Sequence, residues 1–501
     1  MTLSKSLYTR AIQCPKSLWL KKYKSEVLTP PNASAKARFE TGNSVGDLAC
    51  ELFPDGQEIP FDAHDFKSMA SLTQTYFDEG VENIYEATFI YEGIVVMVDI
   101  LRQTPLGLEL YEVKSSTDVK PIYLHDVSIQ LYVLEALGFS VGACHVVHIN
   151  SGYVREEVLE LEKLFVVVDV TGEVRELQGS IPARLEAFEA YLDDKVHEPN
   201  IDIGKQCNDP YECDAKAYCW KVQRNIPEYS IFNIFNLGSK KQQELYAQNI
   251  VAIEDIPEDF AMTPIQWQKV ENWKKQHTFI DHEAITEFLE TLTYPIYHLD
   301  FETFQQAVPL WSGVSPYKQI PFQYSLHVEH KDGTLEHKAF LAEAGVDPRR
   351  ALAEKLVEDI PLHVNILTYN MSFEKGVIAS LAQLFPDLHV KLMHLHDNIK
   401  DLMLPFQKGH YVTPTMQGSY SIKYVLPALV PEMELAYKKL EGIQNGGDAM
   451  NAFASLHVKS FEEQNVVREQ LLKYCELDTL AMVKVLGKLK KIINSFTCGY
   501  Q

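Results

Sequence analysis

Asp99, Glu112 and Lys114 are the first residues of this chain whose types and spacing suit chemistry on a phosphate. Asp99 is embedded behind the apolar run Ile94-Val95-Val96-Met97-Val98, where an unpaired acid is costly. Glu112 and Lys114 lie beyond the turn-forming segment Thr104-Pro105-Leu106-Gly107. Pairing Gln103 with Leu108 across that turn sets Asp99 directly opposite Glu112, because each is four residues further out. Like charges opposed in a sheet, about 5 Å apart at Cβ, are destabilising, and a bound cation resolves the conflict. Strand alternation puts Lys114 on the same face. Two carboxylates and an ammonium so placed can hold Mg²⁺, position a water and neutralise charge developing on a phosphate. The structural alternative is a surface strand with an ordinary Glu–Lys pair.

A second set begins at His298-Leu299-Asp300-Phe301-Glu302, where two carboxylates leave one face of an apolar strand. Asn370 and Glu374 follow, four residues apart, and then Tyr474 and Asp478, one turn apart on a helix face. Each piece alone is common. Gathered together, the four carboxylates can hold two metals about 4 Å apart for in-line attack on a phosphodiester. Asp401 reads first as a helix cap. The loop Gln417-Gly418-Ser419-Tyr420-Ser421 with Lys423 reads first as structural and second as an approach to a phosphate backbone.

Eight cysteines without a secretion signal do not read as a disulfide framework. Cys207, Cys213 and Cys219 are evenly spaced, and Cys14 is the natural fourth thiolate for a Cys₄ site. Unrelated buried thiols are the alternative at this point, and Cys50, Cys144, Cys475 and Cys498 read as packing residues.

The elements that must position these groups fall into three blocks. Residues 1–225 mix helices with strand runs at Gly93 to Leu101 and Leu108 to Lys114; residues 226–291 read as a helical connector; residues 292–501 hold a second strand-rich block closed by a helix whose apolar positions recur from Val466 to Ile493. At 501 residues, two or three domains are expected, in an α/β multidomain chain. The net charge of −23 excludes a protein that grips duplex DNA over most of its surface. It does not exclude an enzyme that chelates divalent metals in acidic sites. A basic strip (Lys5, Arg10, Lys16, Lys21, Lys22, Lys24, Lys36, Arg38) reads first as a solvated helical face. No apolar run is long enough to span a bilayer, so a cytoplasmic protein without a membrane role is expected.

Asp99, then Glu112-Val113-Lys114, then a helix carrying Gln130, resembles the PD-(D/E)XK nucleases, and within them the RecB-like exonucleases associated with CRISPR systems. The resemblance implies a restriction-endonuclease-like domain with Asp99 and Glu112 as metal ligands. It implies further that Val113 lends a backbone carbonyl, Lys114 helps activate water, and Gln130 lies near the strand being cut. Leu134 stands where that family often has Tyr, and Gly46 where many members have a His ligand after Gly42. The iron–sulfur members share the layout of one early and three late cysteines. For Cys14, Cys207, Cys213 and Cys219 this implies a structural [4Fe–4S] cluster, with Zn²⁺ as runner-up; the late spacing departs from the usual Cys-x-x-Cys.

The second set resembles the DnaQ-like exonucleases, 3′–5′ enzymes with a DEDD metal set on an RNase H-like fold. Asp300, Glu302, Glu374 and Asp478 are then metal ligands and Tyr474 orients the attacking water, with Glu374 one methylene longer than the family's Asp. Residues 236–257 resemble half of a helix–hairpin–helix element, with Asn249 at the second glycine position; a plain helical linker is the equal alternative. The two-nuclease order resembles that of a bacterial family. It implies Mg²⁺- or Mn²⁺-dependent hydrolysis of DNA, single-stranded or frayed ends ahead of duplex. RNA trimming is the competing enzyme reading, and a nucleic-acid-binding or assembly factor with decayed sites the competing non-enzyme one. Protein partners are not legible.

Overall fold

The computed structural model describes residues 3–498. Two compact units emerge, each α/β: one comprises the chain up to Asn225 together with Gln306–Lys318, the other Ile226–Gln305 and Gln319 onward. Among the described residues no helix is long and apolar enough to cross a membrane.

In the first unit, strands β1 (Leu3–Ser4), β2 (Gln57–Glu58), β3 (Asn83–Tyr91), β4 (Ile94–Thr104), β5 (Gly107–Lys114), β6 (Val141–Ile149) and β7 (Phe165–Asp169) form one mixed sheet. Its order is β2-β3-β4-β5-β6-β7, with β1 parallel to β4. β4 is apolar along most of its length because its side chains are covered: Val96, Val98 and Leu101 pack in one cluster, Ile100 in another with Tyr111 and Val147. The turn between β4 and β5 pairs Gln103 with Leu108, in the register that opposes Asp99 and Glu112. Parallel β5 and β6 are joined by the helix Pro121–Ala136, as a parallel crossover demands. Pairing of β3 with β4 passes from Tyr85–Ile100 to Ala87–Val98, and Glu86, at φ +55, is turned out of the ladder beside Asp99.

The segment 226–291 is not a free-standing connector. It belongs to the second unit and has its own apolar cluster around Ile231, Leu237, Leu245, Ile253 and Val270. Its helices include Ser239–Ala247 and Pro264–Lys274. Asn249 adopts φ +60, the left-handed conformation that Asn tolerates better than most residues in place of glycine. Conversely, Gln306–Lys318 falls inside the expected second domain but packs with the first, because Ala307, Val308 and Tyr317 bury against Ile100, Tyr111 and Val147.

The second unit is built on β9 (Ile296–Phe304), β10 (Ile320–Glu329), β11 (Leu335–Leu341), β12 (Asn365–Thr368) and β13 (Ile399–Asp401), in the order β11-β10-β9-β12-β13; β8 (Phe279–Ile280) and β14 (Tyr411–Val412) form a separate ribbon. β9 runs antiparallel to β10 and parallel to β12. The 38-residue helix Phe461–Cys498 buries Leu471, Cys475, Met482, Val485, Leu486 and Leu489, the helical stripe its spacing predicts. Polar contacts seat it on β10: Gln323 donates to the Leu471 carbonyl at 2.8 Å, and Thr479 meets Ser325 at 2.7 Å and His327 at 2.8 Å. Cys144 and Cys475 are buried and Cys50 is part-buried; the side chain of Cys498 lies outside the described ones.

Candidate active sites

The first site lies where β4 and β5 leave their turn-proximal pairing. Asp99 accepts a hydrogen bond from the Val113 N–H at 2.8 Å, so the backbone between Glu112 and Lys114 is fixed to the facing strand. Glu112 is only 2% exposed and receives three donors: Lys114 Nζ at 2.5 Å, Gln130 Nε2 at 2.8 Å and Lys5 Nζ at 3.0 Å. Lys114 also bridges to Asp126 at 2.8 Å. Gln130 is buried and holds Glu112 from the helix Pro121–Ala136; its observed partners are protein groups. The structure thus brings together Asp99, Glu112, Val113, Lys114 and Gln130. It adds Lys5, Asp126 and Glu86, which the strand pattern alone did not mark as site residues.

Electrostatics divide these acids. Burial alone would raise Glu112, but Lys114 and Lys5 overcome it and hold the carboxyl well below its usual range. Burial, then Glu112, raises Asp99 and lifts Asp126 to about 6; burial, then Asp99, lifts Glu86 to about 7. Lys5 sits where a cation between Asp99 and Glu112 would sit, 3.1 Å from Asp99 Oδ1. Burial opposes its charge, yet Asp99 and Glu112 keep it protonated. A divalent ion entering that gap would have to displace the ammonium. Lys5→Met is therefore expected to tighten Mn²⁺ binding here roughly tenfold, the effect of about 1.4 kcal/mol of removed competition. Calorimetric titration in an Asp300→Asn background reads it, and an unchanged affinity would show that Lys5 does not compete.

The second site gathers Asp300 and Glu302 from β9 with Asp478 from the long helix; one carboxylate oxygen of each lies within 4.8 Å of the others. Glu302 is buried, Asp300 and Asp478 part-buried. Burial and the charge of Asp478 raise Asp300, and burial with the charges of Asp300 and Asp478 raises Glu302, both well above the usual carboxylate range. Burial lifts Asp478 to about 6, restrained by the Tyr437 and Tyr474 hydroxyls and Lys423. Tyr437 donates to Asp478 at 2.6 Å, a contact the sequence pattern did not single out, and its ring meets Tyr474 edge-on at 6.4 Å.

Glu374 stands outside the close triad. It is 2% exposed, its Oε2 has no hydrogen-bond partner among the described residues, and burial with Asp300 raises it to about 9. Asn370, at φ +77, makes the sharp turn from β12 into the helix Met371–Leu384 that carries Glu374. Asp401 caps that helix, accepting from the Asn370 N–H at 3.0 Å and the Met371 N–H at 3.1 Å. The Gly418 carbonyl of the 417–421 loop accepts from the buried Lys269 at 2.7 Å. A Cβ on Gly446 would lie 3.5 Å from Glu302 Oε2, so the start of the helix Gly446–Ala454 closes one side of the acidic group.

Cys14, Cys207, Cys213 and Cys219 line one cavity of about 20 Å³. Cys14 lies between the helices Lys5–Gln13 and Pro15–Tyr23, and the Cys213 N–H donates to the Cys207 carbonyl at 3.0 Å. Arg10 clamps Asp214 through two 2.8 Å bonds, fixing the late cysteine segment to the first helix. Burial raises the Cys14 thiol and pushes Cys219 up to about 11, against the pull of Lys16.

The basic strip is divided: Lys21, Lys22, Lys36 and Arg38 are exposed, as a solvated face expects, whereas Lys5, Arg10 and Lys16 pair with acids. Lys5 enters the first site, Arg10 binds Asp214, and Lys16 is buried against Glu198 at 2.8 Å. Acids distant in sequence recruit these cations, so a count of local charge could not reveal it.

A family described as "Domain of unknown function (DUF2779)" matches residues 297–421, a stretch that carries Asp300, Glu302 and Glu374 but stops before Asp478. An uncharacterized protein of Ureaplasma parvum, UU173, is 24% identical over 301 residues, covering 55% of this chain and 43% of its own. The uncharacterized protein MG366 of Mycoplasma genitalium is 24% identical over 243 residues, covering 45% and 36% respectively. This chain spans less than half the length of these curated relatives.

Proposed function

We propose that this chain is a divalent-metal-dependent nuclease with two active centres, a PD-(D/E)XK-type centre in the first unit and an RNase H-like, DEDD-type centre in the second. DNA, as single strands or frayed ends, is its substrate ahead of RNA, and it acts in the cytoplasm. The observation that carries this reading is the meeting of the Asp300, Glu302 and Asp478 carboxylates, with one oxygen of each within 4.8 Å of the others. Three carboxyls so close stay charged together only around a positive ion. The residues fit Mg²⁺ or Mn²⁺, which would supply charge stabilisation on the phosphate and a readily deprotonated water.

The chain's own groups do the rest. Tyr474, one helical turn before Asp478, orients the attacking water from its hydroxyl. Tyr437 fixes Asp478 through its 2.6 Å bond. In the first centre, Lys114 stabilises charge developing on the phosphate, and Gln130 holds Glu112 in its working rotamer. The four thiols around one cavity suit a [4Fe–4S] cluster, with Zn²⁺ as the alternative; either would tie the early helices to the late cysteine segment.

Lys114→Ala and Asp300→Ala separate the centres. On end-labelled DNA and RNA oligonucleotides with Mn²⁺, each variant is expected to lose a different product set, by about 10²-fold or more. Cleavage by neither the parent nor any variant under any metal, with binding that survives EDTA, would replace this reading with a binding factor whose sites have decayed.

A further inference from the structure

Tyr211 lies in the loop between Cys207 and Cys213 and is 49% exposed, yet it is not loosely held. Its hydroxyl donates to Tyr123 Oη at 3.2 Å, and its carbonyl accepts from Gln13 Nε2 at 2.7 Å. Lys120 Nζ stands 5.4 Å from the Tyr211 ring centre and 6.0 Å from that of Tyr123; Lys114 Nζ is 5.3 Å from the Tyr123 ring. Lys114 in turn reaches Glu112 and Asp126. An exposed aromatic ring, fixed in place beside an exposed lysine, thus lies one residue removed from the first acidic centre. Fixed aromatic rings with flanking cations are what a polyanionic strand with unpaired bases binds: the base stacks, the phosphate meets the ammonium.

We infer that Tyr211 and Lys120 form a stacking platform that seats an unpaired nucleobase of the strand entering the first centre, Tyr123 fixing the ring toward Lys114. The inference rests on the nuclease reading of that centre and adds to it where the strand is gripped. The cysteine segment then does more than tie chain ends together, because it carries the base-binding ring.

Fluorescence anisotropy in EDTA, with a labelled oligothymidylate and an abasic strand of equal length, tests this. Tyr211→Ala is expected to weaken binding of the base-bearing strand roughly 5- to 100-fold while changing the abasic strand less than about twofold. Tyr211→Phe, which keeps the ring and loses only the Tyr123 bond, should bind within about threefold of the parent. An unchanged melting temperature and metal content in Tyr211→Ala shows the loop intact. Equal losses on both strands, or a Phe variant as weak as the Ala one, would overturn the platform. If the parent binds and cleaves, Lys114→Ala removes the first-centre products, and Tyr211→Ala binds base-bearing strands as the parent does, the platform falls and the nuclease reading stands. If no strand binds and no metal supports cleavage, both fall.

Discussion

Asp300→Asn is expected to raise the melting temperature of the metal-free protein at pH 8, by roughly 5 °C, and to abolish the stabilisation that Mn²⁺ gives the second unit. In the folded chain Asp300 and Glu302 are raised well above their ordinary values, and Glu374 reaches about 9. A raised carboxyl keeps its proton in the folded state after the unfolded chain has lost it. Between the two values the folded state binds more protons, so stability falls as pH rises. The metal-free second unit is therefore most stable below about pH 4 to 5 with respect to these groups. It loses that stability as pH climbs toward about 9, where Glu374 ionises. Replacing Asp300 with its neutral isostere removes one of the crowded charges and flattens the profile. A divalent ion bound there would do the same in the parent, and for Mn²⁺ the gain would grow as RT ln(1 + [Mn²⁺]/Kd). Thermal melts from pH 5 to 9, with and without Mn²⁺, read both effects. A pH-independent melting temperature in the metal-free parent, or an equal Mn²⁺ shift in Asp300→Asn, would remove the metal site.

Cys213→Ser is expected to unfold the first unit at 37 °C while leaving second-centre products intact. A cluster or zinc ion held by both Cys14 and Cys207 would close a loop of roughly 200 residues, and by the chain-entropy argument such a closure contributes about 5 kcal/mol. Domain stabilities are of that order, about 5–15 kcal/mol, so one lost ligand consumes much of the margin. The Arg10–Asp214 clamp cannot replace it, since a part-exposed ion pair contributes about 1 kcal/mol or less. Bound iron and zinc, visible absorbance and a two-transition melt make the test. Iron with absorbance near 400 nm identifies a cluster, and zinc without colour identifies the alternative. A variant that melts like the parent and a parent that binds neither metal would reduce the four cysteines to packing residues.

Gly446 shows the kind of residue that a sequence pattern misses. Its place beside Glu302 arises because the helix Gly446–Ala454 packs on β9 through Phe453, whose ring stacks on Phe322 at 4.1 Å and tilts against Phe304 at 5.1 Å. Glycine at the start of a short helix is ordinary, so no local signal marks it.

What the residues determined by themselves is short-range. Turn chemistry and alternation set Gln103 opposite Leu108, and with it Asp99 toward Glu112. Alternation likewise put Asp300 and Glu302 on one face, and the 3.6-residue period placed Tyr474 one turn before Asp478. Tertiary structure alone decided that Lys5, 94 and 107 residues away, would sit between Asp99 and Glu112. It also assigned residues 226–291 to the second unit and Gln306–Lys318 to the first. The reason is physical: periodicity reports which way a side chain points from its own element. Which charges end up paired is set by the minimum in buried, unpaired charge over the whole folded chain.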